Sequence, residues 1–161
     1  KNNETNLFIC RVKDPERYGV VDFDSEFNVI DIEEKPFKPK SNYVVTGLYF
    51  YDEKVTELVK DLKPSERGEL EITDLNNLYI KENNIKVNIL GRGIAWLDTG
   101  TFDSLFDAGS FIRTIENRQG FKIGCPEEIS WRMGWIDTNR LKELATNYMD
   151  NNYGKYLMSL E

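Results

Sequence analysis

The sequence predicts an α/β protein, a mixed sheet flanked by helices and followed by a helical C-terminal subregion. Three observations predict it. Short runs rich in Val, Ile, Phe and Tyr dominate up to Tyr51, strand and helix patterns mix as far as Leu97, and helical spacing fills the remainder. With 161 residues, 40% hydrophobic and 30% charged, the chain has the apolar content of a soluble globular protein and not of a disordered one.

Each element has its own local reason. Residues 6–12 form a short apolar run that reads as a buried strand, closed by the turn Lys13-Asp14-Pro15-Glu16. Residues 18–23 and 27–33 read as a hairpin turning at Asp24-Ser25-Glu26, with Gly19 marking either a packing constraint or a close approach of backbone to ligand. After Pro36 and Pro39, residues 43–51 fit a central strand that contains Gly47. Asp52 is expected to cap a helix running to about Leu62, with Val55, Leu58, Val59 and Leu62 on one face. Residues 64–71 form a polar loop, 72–81 a helix with Ile72, Leu75, Leu78 and Tyr79 on one face, and 86–90 a strand. Residues 101–118 carry Phe102, Leu105, Phe106, Phe111, Ile112 and Ile115 at the spacing of a long amphipathic helix. Pro126 opens a further helix, Asp137 caps the next, and a last short one follows Tyr153. The expected organisation is residues 1–100 as an α/β part and 101–161 as a helical subregion with enough apolar faces for an oligomer contact.

Charge and composition exclude several functions. A formal charge of -7 and a pI near 4.8 argue against nucleic acid or an anionic membrane as partner, since phosphate backbones are gripped by dense Lys and Arg. No apolar run approaches a membrane span. There is no histidine, so any chemistry runs on carboxylates, Lys, Arg or a hard metal ion. Cys10 and Cys125 lie apart on apolar stretches without metal-ligand spacing and are expected to be buried free thiols in a reducing, cytoplasmic compartment. The sequence begins with Lys1 and not Met, so it is expected to be part of a longer chain.

A few residues have the chemistry of a site. Glu34 and Lys35 stand side by side before Pro36, which biases Lys35 towards an extended backbone and its side chain away from that of Glu34. One can accept hydrogen bonds from hydroxyls and the other can meet a phosphate; the pair also fits a solvated surface. Asp98, between an apolar run and a helix, is either an N-cap or one ligand of Mg²⁺. Arg67, Arg92 and Arg132 are cations in or beside loops and helix ends. No P-loop, dinucleotide fingerprint or nucleophile motif occurs. Residue chemistry alone defines an acidic α/β domain.

Five stretches together resemble the bacterial glucose-1-phosphate thymidylyltransferases. They are Asp14-Pro15-Glu16-Arg17-Tyr18-Gly19-Val20-Val21, Glu33-Glu34-Lys35-Pro36, residues 41–51 ending Thr46-Gly47-Leu48-Tyr49-Phe50-Tyr51, Arg67-Gly68-Glu69-Leu70-Glu71-Ile72-Thr73-Asp74 and Trp96-Leu97-Asp98-Thr99-Gly100-Thr101, with residues 125–132 as a sixth. The resemblance covers nearly all of this chain and about the C-terminal half of the family's. It implies the sugar-binding part of a Rossmann-like nucleotidyltransferase fold, acting in the cytoplasm as a homo-oligomer. The implied reaction joins glucose 1-phosphate to dTTP, with Mg²⁺ as cofactor, and yields dTDP-glucose and pyrophosphate as the first step towards dTDP-rhamnose and polysaccharide.

The resemblance also implies roles. Gly19 offers backbone to the sugar, Glu34 bonds its hydroxyls, and Lys35 and Arg67 hold its phosphate. Val45 lines the pocket, Tyr18 and Trp96 wall it, and Asp98 is one of two Mg²⁺ ligands. Arg92, Gly124, Glu128, Ile129 and Arg132 match a second, regulatory nucleotide-sugar site. The Gly-rich loop G-x-G-T-R-x-x-P that cradles the triphosphate in the family does not occur in these residues, so the 161-residue chain by itself is expected to be inactive. The alternatives are a uridylyl- or guanylyltransferase, or a non-catalytic domain that binds sugar phosphates or nucleotide sugars and oligomerises.

Overall fold

The computed structural model describes residues 5–160. The chain divides into two compact units, Lys1–Trp96 and Leu97–Glu161.

The first unit is built on five strands: β1 (Thr5–Arg11), β2 (Gly19–Phe23), β3 (Val29–Glu34), β4 (Tyr43–Phe50) and β5 (Ile85–Ile89). They lie in the order β3-β2-β4-β1-β5. The sheet is mixed: β1 runs antiparallel to β4 and parallel to β5, while β2 pairs antiparallel with both β3 and β4. Side chains alternate across each strand, so β1 sends Leu7 and Ile9 to one face and Cys10 to the other. Leu7 and Ile9 join Val21, Ile32 and Val45 in the larger core. Cys10, Val20 and Val44 form a smaller one beside Tyr18 and Trp96. The β1–β4 register slips between Leu7 and Ile9, whose partners are Tyr49 and Val45, and Gly47 sits in the extra length with φ +82°. A left-handed residue there explains the glycine in the strand pattern.

Between β4 and β5 the chain makes a single helical turn, α1 (Val55–Leu58), continued as a 3-10 turn at Val59–Asp61, and then α2 (Ile72–Lys81). The long helix expected after Asp52 is therefore not formed. Val55, Thr56 and Val59 are β-branched and poor helix formers, and the Asp52 carboxylate is shared between the helix start and residues far along the chain. It accepts hydrogen bonds from Tyr79 Oη (2.7 Å), Asn84 Nδ2 (3.2 Å) and the Lys54 amide (3.1 Å), tying the end of β4 to α2. The hairpin strand expected from residue 27 begins at Val29, because Phe27 adopts φ +67° in the turn. On α2, Asn77 gives and receives one bond each with the Ile32 backbone, fixing the helix along β3.

The Asp52–Tyr79 tie makes the first unit sensitive at both ends of the pH scale. Donation from Tyr79 holds the Asp52 carboxyl below its ordinary value, and burial, then Asp52, push Tyr79 up to about 12. A depressed carboxyl contributes stability above its unfolded pKa of about 3.9 and loses it as pH falls through the lower folded value. A raised phenol contributes below about 10 and loses it as pH rises through the folded value. Denaturant midpoints followed against pH should therefore fall at both extremes, and Tyr79→Phe should flatten both limbs; unchanged limbs would refute the tie.

The second unit contains α3 (Phe102–Gln119), α4 (Pro126–Arg132), α5 (Thr138–Thr146) and α6 (Asn152–Met158). Its core is Cys125, Leu141, Ala145, Leu157 and Leu160. Asp137 caps α5 by accepting from the Arg140 amide (2.7 Å), as its sequence position predicts. Thr101 caps α3 in a reciprocal box with Ser104, so Asp98 is not that helix's cap. Both cysteines are buried and free. Among the described residues, no helix is long and apolar enough to cross a membrane.

Candidate functional site

Where β2 and β3 leave the sheet together, Gly19 lies opposite Glu34. A Cβ on Gly19 would stand 2.8 Å from Val45 Cγ2 and 3.3 Å from both Glu34 Oε2 and Thr73 Oγ1. Gly19 is thus the one residue that lets three strands and α2 converge. Both readings of this glycine meet here, because the packing it permits is packing around polar groups.

Glu34 is the centre of that convergence. Thr73 Oγ1, buried at the start of α2, donates to Glu34 Oε2 (2.7 Å). Lys35 Nζ and Arg67 Nη1 stand 4.0 and 3.8 Å from the other oxygen, Oε1. These separations are too long for strong hydrogen bonds, so the carboxylate gathers the cations without consuming their donors. Lys35 is not extended as Pro36 led us to expect: φ is +45°, the Lys35 amide bonds the Tyr18 carbonyl (3.0 Å), and its side chain lies beside that of Glu34 and not opposite. A non-glycine residue in this region carries backbone strain, a feature that concentrates at functional sites.

Arg67 projects from a turn closed by Gly68 N to Ser65 O and Ser65 N to Glu69 O, both 2.8 Å. Glu69 Oε2 (2.5 Å) and the largely buried Glu71 Oε1 (3.7 Å) flank it, and Ser65 Oγ holds Glu71 (2.8 Å). Aromatic walls complete the cleft. Trp96 Nε1 donates to the Thr46 carbonyl (3.0 Å), and its ring meets Tyr18 edge-on at 5.2 Å. Tyr18, Gly19, Glu34, Lys35, Val45, Thr73 and Trp96 line this one open cleft together with Arg17 and Tyr49. Burial, and then the Glu34 charge, push the Tyr49 hydroxyl up, so it remains a donor.

Of the residues singled out in the sequence, the first unit thus brings seven to one place. Asp98 lies in the second unit, where its Oδ1 accepts from the Gly100 amide (3.2 Å). No group of three or more Cys, Asp or Glu side chains able to hold a metal occurs among the described residues. One carboxylate supplies one Mg²⁺ ligand, which fits an ion that takes most of its shell from water and phosphate oxygens but does not define a site. Arg92 is exposed and lines a separate groove with Arg11 and Lys13. Gly124 has φ +66°, Ile129 is exposed, and Arg132 Nε pairs with the buried Glu128 (2.7 Å).

Sequence reading missed Thr73, Tyr49 and the Ser65–Glu71 pair. The first had a signal: Thr73 and Asn76 are short polar residues three apart, adjoining the apolar face of α2, and both are buried.

A strained cation, a second cation on a loop and a carboxylate with a hydroxyl donor give the cleft groups that can pair with an anion and accept from hydroxyls. Residues 1–115 match the nucleotidyl transferase family, and the chain belongs to it. Within that family its likeness is to glucose-1-phosphate thymidylyltransferases. It is 54% identical to that of Neisseria meningitidis over 154 residues, covering 96% of this chain and 54% of the relative. It is 58% identical to that of Xanthomonas campestris over 149 residues, 92% of this chain and 50% of the relative. A crystal structure from Bacillus anthracis assigned to the same enzyme, solved with sucrose, superimposes with a TM-score of 0.62 at 46% identity, covering 70% of this chain and 44% of that one. A UDP-glucose pyrophosphorylase bound to UDP-glucose gives the same TM-score at 22% identity over 71% of this chain and 46% of its own, a likeness of fold. The chain spans about half the length of the curated relatives it matches.

Proposed function

We propose that this chain is the sugar-1-phosphate-binding part of a glucose-1-phosphate thymidylyltransferase. The observation that carries the reading is the convergence of Lys35 and Arg67 on a single oxygen of Glu34 at the Gly19 cleft. Glu34 accepts hydrogen bonds from sugar hydroxyls, with Thr73 holding its orientation. Lys35 and Arg67 turn towards the incoming phosphate, Val45 lines the pocket, and Tyr18 and Trp96 wall the ring. One phosphate oxygen of glucose 1-phosphate then forms a bond to the α-phosphorus of dTTP as the bond to pyrophosphate breaks. The attacking atom belongs to the substrate, so the protein's tasks are alignment and neutralisation of charge. Mg²⁺, when bound, would neutralise phosphate charge, with Asp98 as one of its ligands.

Arg92, Gly124, Glu128, Ile129 and Arg132 belong in this reading to a regulatory nucleotide-sugar site. The exposed Phe102 and Phe106 of α3 support homo-oligomer formation, and the two free buried thiols support a cytoplasmic location. The place in the route to dTDP-rhamnose and polysaccharide follows from the proposed product.

Calorimetric titration of the chain with glucose 1-phosphate tests the cleft. Lys35→Ala should weaken binding about thirtyfold or more, the cost of removing one partner from a charge-assisted contact. Equal affinity in the variant would remove the basis for the assignment. Incubated with dTTP, glucose 1-phosphate and Mg²⁺, the 161 residues by themselves should release no pyrophosphate, since they contain no triphosphate-cradling loop. A chain that binds the sugar phosphate without turning it over would also match a binding and oligomerisation domain. Turnover by a longer form of the chain would dismiss that second reading.

A further inference from the structure

We propose that Tyr156 is the positioning residue for Arg132, acting through Glu128, and that it sets the affinity of this arginine for the diphosphate of a nucleotide sugar. The inference rests on the regulatory reading of Arg132 given above and adds to it a residue outside that set.

Two carboxylates open α4, and each meets a tyrosine of α6. Tyr153 Oη donates to Glu127 Oε2 and Tyr156 Oη to Glu128 Oε2. The two contacts look alike but their surroundings differ. Tyr153 also stands 3.1 Å from the Cys125 thiol, so its pairing ends in the core. Glu128 instead passes the restraint outward: its other oxygen, Oε1, accepts from Arg132 Nε at 2.7 Å.

Glu128 is nearly fully buried, whereas the Arg132 side chain is 63% exposed. A buried carboxylate needs donors on both oxygens, and here the phenol supplies one and the guanidinium the other. Glu128 takes its hydrogen bond from Arg132 through Nε, and the Trp131 ring lies 5.7 Å from the guanidinium carbon. With Nε held by Glu128, the two Nη groups form the outer end of a planar fork, which can take two phosphate oxygens at once. Without the phenol, Glu128 would turn to recover a donor, and the fork would lose its aim.

Tyr156→Phe removes the hydroxyl and keeps the ring. Titrated with dTDP-glucose as probe, this variant should bind about tenfold more weakly than the unaltered chain, the equivalent of one hydrogen bond to a charged group. The Arg132 Nε–H, observed by ¹⁵N-resolved NMR without ligand, should exchange faster with solvent. Tyr153→Phe is the control, because it loosens the same pair of helices without reaching Arg132, and should change neither quantity. Equal weakening by the two variants would make Tyr156 merely structural and overturn the inference, as would an unchanged Nε–H exchange rate in Tyr156→Phe. Arg132→Gln separates the two levels of the claim. If it binds the probe as tightly as the unaltered chain, or if that chain does not bind at all, the regulatory reading fails and the inference with it. Loss of binding in Arg132→Gln with unchanged binding in Tyr156→Phe overturns the inference alone.

Discussion

Gly19→Ala is expected to abolish measurable binding of glucose 1-phosphate and to lower the stability of the first unit by about 1–3 kcal/mol, the usual cost of overpacking. The added methyl would sit 2.8 Å from Val45 Cγ2, closer than carbon atoms pack, and Val45 is a buried β-branched side chain with little freedom to move aside. It would also stand 3.3 Å from both Glu34 Oε2 and Thr73 Oγ1, the two atoms whose 2.7 Å bond orients the carboxylate. Relief by moving Glu34 disperses Lys35 and Arg67; relief by moving Val45 opens the core. Calorimetry beside chemical denaturation separates the losses, and a variant that keeps the parent's affinity would show that the cleft does not depend on this approach.

Leu141→Ala is expected to cost about 2–5 kcal/mol, the range for leucine truncation in a packed interior. Leu141 is fully buried among Cys125, Ala145, Leu157 and Leu160. Small units bury a modest share of their surface and are correspondingly marginal, so a loss of that size is comparable with the whole stability of four helices. Thermal unfolding followed by far-UV circular dichroism should show the helical signal melting many degrees earlier. A shift of only one or two degrees would mean that these contacts are not the unit's core.

The fold was legible where a local pattern carries its own explanation. The apolar run of β1, the apolar stripe of α2, Pro126 at the start of α4 and Asp137 before α5 each reflect rules that operate within one element. The order of the strands was not legible, because pairing β4 between β2 and β1 is a long-range choice that no short stretch records. The helix after Asp52 stops after one turn although the Asp52 carboxylate accepts from the Lys54 amide; the same carboxylate also accepts from Tyr79 and Asn84, residues far along the chain, and no local pattern records those partners.

The candidate site divides in the same way. Motif resemblance named Glu34, Lys35 and Arg67 together, while residue chemistry alone saw an ordinary charged pair. Their common focus on Glu34 Oε1 depends on a turn at Arg67 and a dihedral at Lys35 that the sequence does not announce. Proline at the next position argued for the opposite backbone. Thr73 was within reach of a closer reading, since a helix that buries Thr73 and Asn76 must find partners for both.

The left-handed backbone at Lys35 places stability and function in opposition at a single residue. Glycine would adopt φ +45° without the steric cost, on the order of 1 kcal/mol, that a side chain incurs there. It would also delete the ammonium group from the cleft. Foldability alone would select one residue at this position and phosphate recognition another, so a search for more stable variants would be drawn towards glycine here and would discard the site in finding it.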